Sequence, residues 1–269
     1  MDITGFAFVT GGASGIGRAT CLAFAKDGAV GLVVADLNLE GARETAAQAK
    51  AAAVHDGFRV DAIQVDVTSE DSVRAAVAHA RGFLGRIDYG VHSAGIPAGT
   101  FDPIAAASFA DFKHLLDVNV NGTFLFTSLV SKAMMDQEPR PARDPARGSS
   151  RGSIVILASV SSFMAVPNMV QYTSCKHAIL GITKTAALDN APNNIRVNCV
   201  CPTWTDTPMT RRATDVAPGL EEALLATIPM KRLGRPEEAA DAVIFLCSPR
   251  SSFTTGTGLV LDGGMTLSC

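Results

Sequence analysis

Short β-rich apolar runs alternate with Ala-rich helical stretches along the whole chain of 269 residues. This order is typical of strand–helix–strand crossover units, which align parallel strands and cover both faces of the sheet with helices. Runs without polar residues, such as residues 154–157, suit strands that are buried on both faces. The pattern therefore predicts an α/β fold, a three-layer sandwich around a parallel sheet, formed by a single domain over residues 1–269.

Seven runs are predicted as strands: residues 6–9, 31–35, 62–65, 89–92, 154–158, 196–199 and 259–261. Two stretches interrupt the alternation. Residues 136–152 contain three prolines and are predicted as a long surface loop. Residues 201–235 are rich in proline around a short predicted helix at 221–226. Because this segment follows the carboxyl end of a strand, we expect it to form a substrate-binding lid.

The charge and apolar patterns restrict the class of ligand. The formal net charge is −3, and the scattered Lys and Arg residues form no basic stripe for nucleic acid or for a membrane surface. No apolar run approaches the ~18 residues of a membrane span. The six cysteines lack metal-binding spacing and are interpreted as reduced, buried thiols. We therefore expect a soluble cytoplasmic protein that binds a small molecule and no metal.

A glycine-rich segment follows the first predicted strand and leads into a helical stretch. It reads Thr-Gly-Gly-Ala-Ser-Gly-Ile-Gly over residues 10–17. Glycines here allow a tight turn and a close approach of the backbone to a pyrophosphate, which the helix N-terminus stabilises. The segment predicts a dinucleotide-binding loop with the contact residues Gly11, Ser14, Gly15, Ile16 and Gly17.

An acidic residue, Asp36, follows the second predicted strand, nineteen residues after Gly17. A carboxylate at this position accepts hydrogen bonds from the adenosine ribose and repels a 2′-phosphate. Leu37 and Asn38 add no positive charge, and Arg18 is the one residue that weakens the inference. The sequence favours NAD(H) over NADP(H), with an ordinary strand-end carboxylate as the alternative interpretation.

Tyr172 and Lys176 lie four residues apart in a predicted helix, and Ser159 precedes the tyrosine by thirteen residues. The four-residue spacing places phenol and ammonium on one helix face. An adjacent cation favours the phenolate and brings the pKa of a phenol toward neutral pH. The pair is therefore predicted to transfer a proton, while the Ser159 hydroxyl holds a substrate oxygen beside the phenol.

In their order and type, these motifs resemble those of the short-chain dehydrogenase/reductase family over essentially the whole chain. The matching segments are the loop at 10–17, Asp66-Val67, Ala94-Gly95, Asn119, Ser159, Tyr172 with Lys176, residues 202–207 and the closing Leu-Asp-Gly-Gly at 261–264. The resemblance implies a Rossmann-like domain with a seven-stranded parallel sheet. It also implies a nicotinamide cofactor bound across the carboxyl ends of the strands.

The resemblance implies a role for each matching residue. Tyr172 is implied as the general acid or base, and Lys176 as the group that lowers its pKa and binds the nicotinamide ribose. Ser159 is implied to orient the substrate oxygen, and Asn119 to hold a water that links Lys176 to solvent. The other implied cofactor contacts are Asp66, Val67, Ala94, Gly95, Thr205 and Thr207.

The chain departs from the family pattern at two places. His92 and Ser93 stand where the family usually has two asparagines, and Thr203 replaces the glycine that commonly follows Pro202. A lone histidine beside an apolar strand is usually a satisfied core residue, so we expect His92 to be structural rather than catalytic. Thr203 is expected to alter the first turn of the lid and the nearby contacts of Thr205 and Thr207.

Apolar residues flank the predicted chemistry on loops and predict the substrate wall. They are Ile96, Pro97, Phe163, Met164, Val166, Met169, Trp204 and Met209. Such a wall favours a lipophilic or polycyclic alcohol or ketone over a charged sugar or an acyl-carrier ligand.

The leading hypothesis is an NAD(H)-dependent oxidoreductase of secondary alcohols and ketones, with a secondary-metabolite substrate as one possibility. An isomerase, dehydratase or cyclase on the same fold is the alternative, and a non-catalytic nucleotide sensor is a third. Intact Ser159, Tyr172 and Lys176 count against both. The family resemblance also implies a homotetramer or dimer that assembles through helices at about 107–135 and 170–190.

Overall fold

The strands of the structure lie close to where the sequence predicts them. The computed structural model describes residues 3–142, 144–216 and 219–268. Its strands are β1 (Phe6–Thr10), β2 (Gly31–Asp36), β3 (Arg59–Gln64), β4 (Tyr89–His92), β5 (Arg140–Pro141), β6 (Ser149–Ser150), β7 (Gly152–Leu157), β8 (Ile195–Pro202) and β9 (Gly258–Leu261). All seven predicted strands are present, and only the short pair β5 and β6 was not predicted.

The helices are α1 (Gly15–Lys26), α2 (Leu39–Ala52), α3 (Glu70–Leu84), α4 (Phe109–Leu115), α5 (Gly122–Met135), α6 (Val170–Asn190), α7 (Pro208–Val216), α8 (Leu220–Thr227) and α9 (Pro236–Cys247). A π-helical turn, Leu116–Asn121, joins α4 to α5. Apolar side chains of α1, α2 and α9 cover one face of the sheet, and those of α3, α5 and α6 cover the other. The predicted three-layer α/β sandwich is confirmed.

The seven-stranded sheet has the order β3-β2-β1-β4-β7-β8-β9, and each neighbouring pair is parallel. The chain winds outward from β1 to β3 and then returns to the other side of β1 with β4. In open α/β sheets such a reversal leaves a crevice at the carboxyl ends of the strands, where ligands bind. The topology therefore directs attention to the segments that follow β1 and β4.

The two irregular stretches contain more structure than the sequence indicates. After α5 ends at Met135, residues 136–152 contain the antiparallel pair β5–β6 around a turn, Pro145–Arg147, rather than loop alone. Residues 201–235, which were predicted to form a lid, contain α8 close to the predicted helix and also α7, which was not predicted. A backbone bridge between Thr205 and Gly234 joins the two ends of the lid segment.

Five of the cysteines, at positions 21, 175, 199, 201 and 247, are buried free thiols, as predicted. The sixth, Cys269, lies outside the described residues. Among the helices in the described ranges, none has the length and apolar character needed to cross a bilayer.

Candidate active site

A cavity of about 500 Å³ opens at the carboxyl ends of the strands. The residues that follow six of the strands contribute to its lining: Gly11, Leu37, Val65, Ser93, Ala158 and Thr203. The same cavity is lined by Ser159, Tyr172 and Lys176. The predicted nucleotide loop and the predicted proton-transfer residues therefore share one space.

The glycine loop forms the first wall of this cavity. Gly11 and Gly15 have φ angles of 70° and 53°, a region that favours glycine. A Cβ on Gly17 would lie 2.0 Å from the Gly11 carbonyl oxygen, so the loop closes only with glycine there. Ser14 is the N-cap of α1, but its side chain makes no capping hydrogen bond, and the first turn of α1 carries no acidic residue. An uncapped helix N-terminus behind a close-packed loop fits a pyrophosphate.

Of the predicted loop contacts, Gly11, Ser14, Gly15 and Ile16 line the cavity. Gly17 does not, because its Cα packs against the backbone of Gly11 behind the loop. Thr207 faces the loop from the lid, since a Cβ on Gly15 would lie 3.3 Å from its methyl carbon. The loop and the lid therefore approach each other across the cavity.

Asp36 lies at the cavity edge, held by two backbone hydrogen bonds. Its Oδ2 accepts from the amide of Ala13 at 2.9 Å, and its Oδ1 accepts from the amide of Asn38 at 2.9 Å. Arg18 points elsewhere: its guanidinium donates to the carbonyl of Ala13 at 2.6 Å and to the Thr45 hydroxyl at 3.0 Å. Asp36 thus lines the cavity with its carboxylate fixed by the backbone, while the nearby Arg18 is bonded to protein atoms and does not line the cavity.

Asp66 and Val67 line the same end of the cavity, together with Thr68. The hydroxyl and the amide of Thr68 both donate to Asp66 Oδ1, at 2.7 and 2.9 Å, and these hydrogen bonds lower the pKa of Asp66. This end of the cavity therefore presents two carboxylates, those of Asp36 and Asp66.

Tyr172 and Lys176 lie one turn apart on α6, as predicted. The Lys176 ammonium is 5.3 Å from the centroid of the Tyr172 ring and donates a hydrogen bond to the carbonyl of Leu157 at 3.1 Å. Lys176 is only 7% exposed. Its charge is therefore held between the end of β7 and the phenol ring.

Ser159 follows β7 in an extended conformation and begins the short helix Val160–Ser162. Its hydroxyl oxygen accepts a hydrogen bond from the amide of Ser161 at 3.1 Å. Because this bond uses a lone pair of Oγ, the hydroxyl proton is left to donate to a substrate oxygen. Ser159 and Tyr172 thus reach the same cavity from β7 and α6.

Asn119 does not line the cavity. It lies in the π-helical turn, where its side-chain oxygen accepts from the amide of Ile96 at 2.9 Å and its nitrogen donates to the Ile96 carbonyl at 3.0 Å. Gly95 allows this approach, since a Cβ there would lie 2.9 Å from Asn119 Oδ1. The side chain thus supports the loop after β4, and the predicted water link to Lys176 stays a prediction.

The apolar end of the cavity agrees only partly with the predicted substrate wall. Ile96, Pro97, Val166, Met169, Trp204 and Met209 line it. Phe163 and Met164, which were also predicted for the wall, are not among the residues that line the cavity. The backbone turns at the end of the helix Val160–Ser162, and the Phe163 ring then packs toward Gly258 of β9 and Leu180, where it is 47% exposed.

Several lining residues were missed by the sequence analysis. Among them are Thr68, Ala98, Phe101, His114, Val118, Ser161, Thr210, Ala213 and Met265. Most come from segments without a motif, and Met265 belongs to the C-terminal turn Met265–Ser268. The glycine pair at 263–264 could have indicated a turn of the chain before Met265, because such a pair marks a sharp change of chain direction.

Comparisons with known proteins agree with this geometry. The sequence profile of a family described as enoyl-(acyl carrier protein) reductase matches residues 11–266. The chain is 53% identical over 269 residues to short-chain dehydrogenase srdC of Neurospora crassa, with 99% of this chain and 98% of that protein covered. The chain belongs to the short-chain dehydrogenase/reductase family. Members of this family use NAD(P).

Other relatives in this family carry more specific names. The chain is 36% identical over 258 residues to the 2,5-dichloro-2,5-cyclohexadiene-1,4-diol dehydrogenase of Sphingobium indicum, covering 96% of this chain and 95% of that protein. The crystal structure of levodione reductase superposes with a TM-score of 0.88 at 30% identity and covers 99% of this chain and 100% of that one. A 3-ketoacyl-(acyl-carrier-protein) reductase from Brucella melitensis, complexed with NADH, gives 0.84 at 29% identity, covering 99% of this chain and 100% of that one.

The first departure from the pattern of short-chain dehydrogenases/reductases, His92, braces the sheet. Its Nδ1 lies 2.8 Å from the Thr10 hydroxyl, a hydrogen bond between β4 and β1, and its ring packs on Phe126. Burial, with the nearby charge of Lys176, lowers the pKa of His92 to about 3. The histidine is therefore neutral near pH 7, and it does not line the cavity.

The second departure, Thr203, joins the start of the predicted lid to the turn Met265–Ser268. Its hydroxyl donates to the sulfur of Met265 at 2.9 Å, and its carbonyl accepts from the Thr205 hydroxyl at 3.0 Å. Thr203 and Met265 both line the cavity. A glycine at position 203 would leave this part of the wall open. The predicted contacts Thr205 and Thr207 nevertheless reach the cavity.

Proposed function

We propose that the protein is an NAD(H)-dependent oxidoreductase that interconverts a secondary alcohol and a ketone on a lipophilic substrate. The observation that carries this proposal is the convergence of Ser159, Tyr172 and Lys176 on the cavity that the glycine loop also lines. In the wording of enzyme classification, the enzyme acts on CH–OH groups with NAD⁺ or NADP⁺ as acceptor.

The cofactor fits the residues present. Gly11, Ser14, Gly15 and Ile16 would hold the pyrophosphate, and Asp36 would bind the adenosine ribose. Further contacts are proposed for Asp66, Val67, Ala94, Gly95, Thr205 and Thr207, all of which line the cavity. When bound, the nicotinamide exchanges a hydride with the substrate carbon.

Side chains of the protein transfer the proton and orient the substrate oxygen. Tyr172 gives a proton to the carbonyl oxygen during reduction, or takes it from the hydroxyl group during oxidation. The Lys176 ammonium lies 5.3 Å from the phenol ring centroid and is proposed to assist this proton transfer. The Ser159 hydroxyl donates a hydrogen bond to the same substrate oxygen and orients it, because its own Oγ is fixed by the Ser161 amide.

Two observations support NAD(H) over NADP(H). The Asp36 carboxylate lines the cavity and would repel a 2′-phosphate. Arg18, which could compensate, is bonded to Ala13 and Thr45 and lies 3.3 Å from the Glu44 carboxylate. The Arg18 guanidinium is thus already bonded to protein atoms, and Arg18 does not line the cavity.

The apolar wall supports a lipophilic substrate. Ile96, Met169 and Trp204 flank the catalytic side chains, and Lys176 is the only Lys or Arg that lines the cavity within the described residues. Without a further cation, the substrate end of the cavity gives little affinity to a phosphate or carboxylate group carried by the substrate. Relatives named for a cyclohexadiene diol and for levodione are consistent with such a substrate, and we extend the proposal to a secondary-metabolite alcohol or ketone.

The broader organisation is proposed as follows. Residues 1–269 form one domain with the lid at 201–235, and the five buried thiols fit a reducing, cytoplasmic compartment.

Phe124 of α5 and Leu188 of α6 are 58% and 77% exposed, which supports assembly as a dimer or homotetramer through these helices. Sedimentation of the purified protein tests this assembly, and a monomer at micromolar concentration contradicts it.

The function is tested with a panel of hydrophobic ketones and NADH, and of the matching alcohols and NAD⁺, followed at the absorbance band of NADH. We expect turnover of cyclic and bicyclic ketones. Activity confined to small polar polyols contradicts the substrate class. A preference for NADP⁺ contradicts the cofactor assignment, and absence of redox turnover with every pair contradicts the function.

A further inference from the structure

The segment Leu157 to Ser162, which carries Ser159, is bonded at both ends to the same residue of α6. At its start, the Leu157 carbonyl accepts from the Lys176 ammonium at 3.1 Å. At its end, the Ser162 hydroxyl donates to the Lys176 carbonyl at 2.7 Å. Lys176 therefore holds the segment with its side chain and with its backbone.

Ser162 also connects directly to Ser159. Its amide donates to the Ser159 carbonyl at 2.9 Å, which closes the turn that begins at Ser159. The side chain of Ser162 is only 2% exposed and does not line the cavity. Ser162 is therefore not placed to contact substrate or cofactor. Hydrogen bonds join it to Ser159 and to Lys176 of α6.

The adjacent serine differs in its surroundings. Ser161 lines the cavity, and its amide serves Ser159 Oγ. Ser162 is the residue whose side chain links this turn to α6. The five residues 158–162, Ala-Ser-Val-Ser-Ser, therefore contain two serines that line the cavity and one, Ser162, whose side chain bonds the helix.

We infer that Ser162 is a positioning residue, which sets the place of Ser159 relative to Tyr172 and Lys176. This inference rests on the proposed function, because it assigns to Ser162 the alignment of that proton-transfer site. Ser159 and Tyr172 belong to different elements, so their separation depends on contacts between β7 and α6. A displacement of about 1 Å at such a site lowers turnover by about 100-fold, so a bond that restrains both elements matters for rate.

The variant Ser162→Ala removes the hydroxyl, and the chain offers a matched control in Ser153→Ala. Ser153 is also 2% exposed, lies at the other end of β7, and donates its hydroxyl to the backbone carbonyl of Leu246 at 3.0 Å. Both variants lose one buried hydroxyl-to-carbonyl bond, but only Ser162→Ala loses it at the site. Ser162→Thr keeps a hydroxyl and tests rescue.

We expect both alanine variants to lower the urea midpoint of unfolding by similar amounts. Ser162→Ala is expected to lower kcat by about 10-fold or more with KM for NADH changed less than about 2-fold, whereas Ser153→Ala leaves kcat within about 2-fold. Recovery of kcat in Ser162→Thr supports the inference further. Equal kcat values for the two alanine variants overturn it, because a purely structural bond would then explain both.

A second readout separates this inference from the proposed function. Amide hydrogen exchange of residues 157–162, followed by mass spectrometry, reports how firmly the turn that carries Ser159 is held to α6. If no ketone is turned over, the proposed function falls, and the exchange measurement then decides the inference. Faster exchange of this segment in Ser162→Ala, but not in Ser153→Ala, supports it, and identical exchange in the two variants overturns it.

Discussion

The ammonium of Lys176 lies 5.3 Å from the ring centroid of Tyr172 and is tied to the Leu157 carbonyl at the end of β7. A lysine side chain has many rotamers, so without that tie its charge would not stay near the phenol. The hydrogen bond, and the burial of the side chain, restrict it to one place. The helix spacing brings the pair together, and the strand keeps it there.

The first prediction concerns the phenol. Tyr172→Phe removes the proton-transferring hydroxyl and keeps the ring beside Lys176, so kcat/KM for a ketone is expected to fall by about 100-fold to 10,000-fold. The dissociation constant of NADH, measured by fluorescence titration, is expected to change little. Turnover close to that of the unmodified protein would show that another group transfers the proton. Phe83→Leu, at a half-buried site outside the cavity, serves as the control.

The second prediction concerns cofactor choice. Two unit charges about 4 Å apart repel by about 1 to 4 kcal/mol between aqueous and protein-surface dielectric conditions. Asp36→Ala removes one of them, so the preference for NAD⁺ over NADP⁺ in kcat/KM is expected to fall by about 10-fold or more. Asp56→Ala, at an exposed carboxylate outside the cavity, is the control and should not alter the ratio. An unchanged ratio in Asp36→Ala contradicts the charge argument.

The third prediction concerns stability in acid. The pKa of His92 is lowered to about 3 in the folded state by burial, whereas an unfolded histidine titrates near pH ~6.5. The folded protein therefore favours the neutral form of the His92 ring. Its contribution to stability is complete above pH ~6.5 and is lost as pH falls toward 3, by up to about 1.4 kcal/mol per pH unit.

His92→Asn carries no titrating group at this position, so its unfolding free energy is expected to fall less steeply than that of the unmodified protein between pH 6.5 and 4. Urea unfolding at a series of pH values measures the difference. His55→Asn, at an exposed histidine, should behave like the unmodified protein. Parallel curves for the unmodified protein and His92→Asn refute the assignment of His92 as a buried neutral brace.

The fourth prediction concerns substrate size. Thr203→Gly removes a side chain that lines the cavity and holds Met265, so the kcat/KM ratio of a bicyclic ketone such as tetralone to cyclohexanone is expected to rise by about 10-fold. Thr203→Val keeps the volume without the hydroxyl and should leave the ratio within about 2-fold. A similar rise in both variants indicates that the hydrogen bond, not the volume, limits the cavity.

Much of the fold was predictable because its signals are local. β7 contains a continuous apolar run at residues 154–157, and Gly17 follows β1 at the spacing of a phosphate loop. The boundaries were less accurate: β8 extends to Pro202 because β9 pairs with its end, with Pro202 opposite Leu261. Such pairing depends on a strand that is distant in sequence, and the strand propensities of single residues do not predict it.

The site residues divide in the same way. Tyr172 and Lys176 were predictable from their helical spacing, and six of the eight residues predicted for the substrate wall line the cavity, whereas Phe163 and Met164 do not. Phe163 and Met169 are both apolar residues between Ser159 and Tyr172, and only Met169 lines the cavity. The difference arises where the chain turns after the helix Val160–Ser162, and composition does not predict the direction of that turn.

The sequence by itself determined the alternation of strands and helices, the phosphate loop, the acidic residue at Asp36 and the Tyr172–Lys176 spacing, because each depends on neighbours within a few residues or on one helical turn. Only the tertiary structure decided that Asn119 bonds Ile96, that Ser162 bonds Lys176 and that Met265 closes the wall beside Thr203. These contacts join segments separated by 14 to 62 residues. Their geometry follows from packing helices and loops onto a seven-stranded sheet, and from no local pattern.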